Sequence, residues 1–309
     1  MGRCSIRRRY LNGEIRRVGY LAELRLDVSA QGRLDILRGG YQFLRELHRD
    51  SPPDAYFTSI AADNHRAIRL FERSLRGLPT YGFLAEFVTL VMPVCHKTSL
   101  SAQPKVNTNG LSCSTGSEAN LAELTSFLST QASRHQFAAD WTRDELHSLA
   151  AHGLALDKFL LLRNRGKIVA CVALWDQRGF RQTVIRGYGR ATGMVRPLVN
   201  LTARFLSTPR LPELGSVLAQ AFLSPLAIEP GYEPLLPDLI TLFAPVAAQD
   251  GIELLTLGVA ANDSRLPLLK KHFNCRVYQS RLYRVAWPDG PTASPDFAPL
   301  QYLPEVALL

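Results

Sequence analysis

No stretch of the chain is apolar for long enough to cross a bilayer, and its start has no apolar core of a secretory signal. The opening residues, MGRCSIRRRY, are basic and broken by arginine. Ile6 stands where an N-myristoylation pattern needs Ser or Thr. Cysteine is sparse: Cys4, Cys95, Cys113, Cys171 and Cys275 are scattered singly, without a CxxC pair. That pattern argues against a disulfide framework or a zinc knuckle and fits a reducing cytoplasm. No His, Cys, Asp and Glu group has metal-ligand spacing, so no metal is expected. Cys95 precedes His96, but no acid follows to orient the imidazole towards thiol chemistry.

What is present is the composition of a folded globular protein: 309 residues, 46% hydrophobic and 20% charged, long enough for two domains. The formal net charge of +9 comes mostly from arginine. It suits anionic partners such as coenzyme phosphates, acidic substrates or nucleic acid, and equally an ordinary solvated surface.

Residues 5–11 and 14–28 read as two strands joined by Asn12-Gly13, the pair best suited to a type I′ hairpin turn. A two-residue loop sets Arg9 opposite Arg16 and Arg8 opposite Arg17. Such a pairing is tolerable at a wet edge and more sensible around an anion. A helix is expected over 34–50, a strand over 55–60, a helix over 64–76 and a strand over 80–92. Residues 93–117 turn to Ser, Thr, Asn and Gly, a linker with room for one strand at LSCST. Helices fit 118–134 and 142–151, the latter opened by the capping pattern TRDE, and strands fit 158–164 and 167–175. The remainder reads strand 216–224, helix 233–249, strand 252–259, helix 263–273, strand 276–287.

The run strand-helix-strand-helix-strand therefore occurs twice. In each copy a strand ends in a related tetrapeptide before the second helix, SIAADNHR at 59–66 and GVAANDSR at 258–265. A repeat of this kind implies a duplicated domain. The segment ELRLDVSAQGRLDILRGGYQFL, at 23–44, carries strand into polar turn into helix. There, backbone N–H groups at a helix start offer a phosphate seat, yet only Gly32 precedes Leu34.

This order, and above all IAADNHRAIRLFERS at 60–74, resembles the GCN5-related N-acetyltransferase superfamily. The resemblance implies an α/β fold in two family-like domains, each a mixed, mostly antiparallel sheet flanked by helices. Residues 1–92 would be a partial first domain, 93–117 a linker, 118–287 a degenerate second domain and 288–309 a tail. The first copy lacks the opening strand, two helices and further strand that the second has, so either the natural chain begins upstream of Met1, the reading favoured here, or the first domain is a fragment packed against the second. The implied activity is transfer of an acyl group from acetyl-coenzyme A, or another acyl-coenzyme A, to an amine of a small molecule or protein. Neither nucleic acid nor membrane is expected as partner. The alternative is a catalytically lapsed pair of such domains that binds an acidic ligand or nucleic acid.

By the same resemblance, Gln31, Gly32 and Arg33 match the start of the family's pyrophosphate motif, while Leu34 and Ile36 stand where it has glycine, with Asp35 between them. Leu26 and Val28 would flank the pantetheine arm on the strand, and Asn64, Ala67 and Phe71 would meet it from the second helix. Glu23 takes the place of the general base. The family's proton-donating tyrosine falls at Phe71, which cannot donate; Tyr41, Tyr56 and Tyr81 are candidate substitutes, each equally at home in a core. In the second copy Asn262 matches Asn64, but Pro225, Pro230 and Pro234 remove backbone donors from the turn, which makes that copy a non-binding one.

Overall fold

Strands β1 (Arg3–Leu11) and β2 (Glu14–Ala22) form the expected hairpin in a computed structural model that describes residues 1–30, 32–94, 110–189, 212–287 and 296–309. Asn12 and Gly13 both take left-handed backbone, φ 54° and 83°, as a type I′ turn requires. Arg9 does face Arg16, and Arg8 faces Arg17. The anion expected between them is replaced by partners within the chain. Arg8 donates to Asp140 at 2.8 Å, Arg7 pairs with Glu145 at 2.8 Å and Arg9 donates to the Phe137 carbonyl at 3.0 Å. Arg9 is fully enclosed, its guanidinium 5.3 Å above the Phe57 ring.

Strand β2 stops at Ala22, six residues short of the expected end at 28. Glu23 adopts φ 54°, a left-handed conformation that breaks the pleat and costs a non-glycine residue on the order of 1 kcal/mol. Helix α1 (Leu34–Leu47) follows, with Leu37 and Tyr41 turned into the core. Strand β3 (Ala55–Ala61), helix α2 (His65–Phe71) and strand β4 (Thr80–Pro93) complete the first series. Strand β5 (Leu111–Thr115) is the LSCST segment, and α3 (Leu121–Ala132) and α4 (Arg143–Ala150) stand close to where periodicity puts them.

Strands β7 (Phe159–Asn164) and β8 (Lys167–Trp175) form a second hairpin, after a short β6 (His135–Gln136). Strand β9 runs Gln220–Ile228, later than the 216–224 expected, and passes through Pro225. Its pairing with β8 shifts register between Val172 and Leu174, opposite that proline, so the missing N–H leaves no gap in the ladder. The single helix expected over 233–249 is two, α5 (Leu236–Thr241) and α6 (Ala244–Gln249). Pro245 lies in the first turn of α6, a position that tolerates it where a helix interior would not. Strand β10 (Leu254–Ala260), helix α7 (Arg265–His272) and strand β11 (Arg276–Ala286) close the second series.

All but two short strands share one ten-stranded sheet in the order β1-β2-β3-β11-β4-β10-β9-β8-β7-β5. Two neighbouring pairs, β2 with β3 and β9 with β10, are parallel; the others are antiparallel. The last strands of the two series are exchanged. β11 pairs with β3 of the first series, and β4 pairs with β10 of the second. The two series therefore cannot separate without opening the middle of the sheet.

Residues 296–309 belong to the core as well. Strand β12 (Gln301–Tyr302) pairs with β6, and Asn12 donates to the Asp296 carbonyl at 2.8 Å. Ala307 and Leu308 are buried against the cluster around Trp141 and Trp175.

Candidate active site

The β2–β3 ladder runs from Val18 opposite Ala55 to Leu21 opposite Thr58 and ends there. Beyond that point β2 has turned away at Glu23, while β3 continues against β11 to Ala61. The two strands splay, and a cavity of about 820 Å³ occupies the space between them, roofed by α1 and α2. The Thr58 hydroxyl closes the fork by donating to the Leu21 carbonyl at 2.7 Å.

Of the residues expected at a coenzyme site, Glu23, Leu26, Ile36, Asn64, Ala67 and Phe71 line this cavity. Glu23 sits at its mouth, half exposed, 3.6 Å from the Arg3 guanidinium. Asn64 caps α2, its Oδ1 accepting from the Ala67 N–H at 3.2 Å. Val28 lies not on a strand but in a single 3₁₀ turn, Val28–Ala30, 80% exposed. Gln31 falls outside the described residues, as do Cys95 and His96. Gly32 has φ 84°, a conformation that favours glycine, and a Cβ there would meet nothing within 4 Å. Leu34 packs against the cluster around Leu37 and Tyr41.

Arg33 and Asp35 face each other. Arg33 Nε donates to one carboxylate oxygen at 2.9 Å and Nη2 to the other at 2.6 Å. This fork, helped by its own N–H and that of Ile36, holds the Asp35 carboxyl down to about 2. The first turn of α1 thus already carries an anion, supplied by the chain, where a phosphate would lie.

Proton donors stand deeper. Phe71 stacks on the Tyr81 ring at 4.4 Å, and the Tyr81 and Tyr41 hydroxyls are hydrogen-bonded to each other. Phe71, Tyr81 and Tyr41 all line the cavity. Burial pushes the Tyr41 phenol up to about 12 and Tyr81 higher still, so both keep their protons near neutral pH. Tyr56 instead contacts His48, whose Nδ1 lies 2.7 Å from its hydroxyl. Burial, then Arg17, lowers the His48 imidazole, which keeps it neutral at pH 7. Cys4 also lines the cavity, but burial raises its thiol, which argues against a nucleophilic role.

Sequence reasoning missed Arg3, Tyr20, His48, Gly40 and Arg181, which line the same space. Gly40 had a signal. Two adjacent glycines inside a helix weaken it; a Cβ at either would touch nothing within 4 Å, and Gly40 faces the cavity. Arg181 had none, lying in an irregular segment brought here only by tertiary folding.

The fold is shared with known enzymes. The chain matches a GCN5-related N-acetyltransferase from Sphaerobacter thermophilus with TM-score 0.57 and 13% identity, over 96% of this chain and 79% of that one. It also matches the GCN5-related glucosamine N-acetyltransferase region of a fungal multi-domain β-N-acetylglucosaminidase, with TM-score 0.55 and 11% identity. That match covers 92% of this chain and 31% of the fungal one. No family model and no curated protein sequence matches the chain. The architecture is that of the GCN5-related N-acetyltransferases, and its structural neighbours are enzymes of that class. Among the described residues no helix is long and apolar enough to cross a membrane.

Proposed function

We propose that the protein is an acyl-coenzyme A-dependent N-acyltransferase whose reaction centre lies in the β2–β3 fork. The observation that carries this reading is the fork itself. Two parallel strands part over an 820 Å³ cavity that has a carboxylate at its mouth and a buried pair of phenols inside. On the side that β2 vacates, the backbone at 59–61, paired with β11 on its other side, can receive the amides of a pantetheine arm, and Gly32, Arg33 and the first turn of α1 can receive phosphate. Bound there, acyl-coenzyme A supplies an activated thioester carbonyl.

The chain's own groups supply the rest. Glu23 takes the proton that the attacking amine must shed. Tyr81 gives a proton to the departing sulfur, the Tyr41 hydroxyl hydrogen-bonds the phenolate left behind, and a proton from solvent restores Tyr81. Phe71, in the position of the family's usual donor, packs Tyr81 into place instead.

We read residues 1–92 and 118–287 as two copies of one unit, the second of them without a coenzyme. The competing reading, a lapsed binding protein, draws on Asp35, which already occupies the helix start. Isothermal titration with acetyl-coenzyme A separates the two readings. One site, weakened by Arg33→Gln and by Gly32→Ala, supports the enzyme; no binding at millimolar coenzyme removes it.

A further inference from the structure

A second cavity of about 520 Å³ adjoins the first and shares three of its residues, Arg3, Arg181 and Leu309. One wall is the face of edge strand β1 that presents Arg3, Ser5 and Arg7 at alternate positions. The rest of the lining comes from α4 and the turn after it, with His152, and from the end of β8 and the segment that follows, with Trp175 and Phe180. The charges in it are not equivalent. Arg7 and Glu145 neutralise each other at 2.8 Å. At the junction, Arg181 is lowered by burial and then by the neighbouring positive charge of Arg3, while Glu23 and the Tyr20 phenol offset part of that effect. Arg181 donates Nη2 to the Leu309 oxygen at 2.8 Å and Nη1 to the Ala307 carbonyl at 3.4 Å, while Arg3 has the half-exposed Glu23 at 3.6 Å. One side-chain carboxylate offsets only part of the charge of the two guanidiniums, and an anion at the junction would offset the rest.

Two further features define what such an anion is attached to. Gln177 lines the cavity, is 3% exposed, and has a buried Oε1 with no hydrogen-bond partner. Its Nε2 donates to the Ala307 carbonyl at 2.9 Å, the oxygen that Arg181 Nη1 reaches at 3.4 Å. The orphaned acceptor and the guanidinium thus stand one carbonyl apart, a spacing that one small molecule can bridge. Between cavity and solvent, Phe180 is 53% exposed and meets His152 edge-on at 5.5 Å, leaving a free aromatic face.

Resting on the acyltransferase reading, we infer that this second cavity seats the acyl acceptor. The inferred acceptor is an α-amino acid with an aromatic side chain that carries a hydrogen-bond donor. Its carboxylate lies on Arg3 and Arg181, its ring against Phe180 and His152, and its side-chain N–H or O–H on Gln177 Oε1. Because Arg3 sits 3.6 Å from Glu23, an amine adjacent to that carboxylate reaches the base at the mouth of the coenzyme fork. The step balances: the amine nitrogen forms the amide bond as the carbon–sulfur bond breaks. The amine proton passes to Glu23, and the sulfur takes one from Tyr81.

The test is calorimetric titration of the full chain, without coenzyme, with L-tryptophan, tryptamine and L-phenylalanine. L-Tryptophan is expected to bind at least tenfold more tightly than tryptamine, which lacks the carboxylate, and several-fold more tightly than L-phenylalanine, which lacks the donor. Arg3→Gln, on an exposed side chain whose loss does not endanger the fold, and Arg181→Gln should each reduce L-tryptophan to the affinity of tryptamine while leaving tryptamine unchanged. Tryptamine binding as well as L-tryptophan, binding of neither, or an Arg3→Gln variant with undiminished L-tryptophan affinity overturns the inference. These readouts need no turnover. L-tryptophan binding with no coenzyme binding sinks the acyltransferase reading and with it the acceptor role, leaving an amino-acid site; coenzyme binding with no amino-acid binding sinks this inference alone.

Discussion

Replacing the two tyrosines of the fork one at a time and together separates their structural work from their chemistry. Tyr41 is 7% exposed, and its hydroxyl is bonded to that of Tyr81. Tyr81→Phe leaves the Tyr41 hydroxyl buried without a partner, a loss of about 1–3 kcal/mol, and Tyr41→Phe does the same to Tyr81. The double variant leaves no orphan. Its rings stay in place, with Phe71 still 4.4 Å from residue 81 and Trp287 edge-on to residue 41 at 6.5 Å. Its stability should therefore return to within about 1 kcal/mol of the parent. With the double back at the parent's stability, the two single losses together make a coupling of about 2–6 kcal/mol, large against the few tenths that separate independent sites.

Urea unfolding followed by tryptophan fluorescence reads this coupling, with Trp287 as a nearby reporter. With an m value of about 3 kcal/mol/M, each single substitution lowers the midpoint by roughly 0.3–1 M, and the double restores it. The rate behaves differently. Tyr81→Phe should lose about 10²–10⁴-fold in acyl transfer, and the double variant should stay as slow despite its recovered stability. Additive stability losses would show that the hydroxyls do not hold each other. A Tyr81→Phe variant of unaltered rate would remove the phenol from the mechanism.

Glu23→Gln should cost about 10²–10⁴-fold in kcat with coenzyme affinity near normal; steady-state rates and coenzyme titrations of both proteins decide it. Asp35→Asn removes the chain's own anion from the start of α1 and frees Arg33, so acetyl-coenzyme A should bind about two- to five-fold more tightly by calorimetry, the worth of one charge at a helix terminus. Burial raises Glu305 to about 7, opposed by its hydrogen bond from Ser224 and by Arg9 and Arg265. A carboxyl raised on folding holds its proton longer in the native state, so its contribution is intact below about pH 4 and is lost as pH climbs to about 7. It amounts to about 3 kcal/mol, and Glu305→Gln should flatten that part of the stability–pH curve.

Local signals and long-range placement divide what the residues alone disclose. The hairpin at Asn12-Gly13, the LSCST strand and the capped helix at Arg143 are decided by neighbours a few positions apart, and each stands where its pattern puts it. The exchange of β4 and β11 is invisible to such patterns, because both strands read as ordinary apolar runs whichever partner they take. The fate of the arginines was hidden for the same reason. Arg8 and Arg9 read as a seat for an anion until residues from Phe137 to Asp140, far along the chain, arrive to receive them. So too with the fork. A left-handed Glu23 has no sequence signature, yet that one residue ends β2, parts it from β3 and opens the cavity. The backbone strain is thereby placed at the residue whose carboxylate the proposed chemistry needs, which gives a reason for its persistence: Glu23→Gly should relieve the strain and leave the fork open while removing the base. A glycine variant that folds more stably and transfers slowly would tie the two roles to one position. A variant that closes the fork would show that the side chain, not the backbone, holds it open.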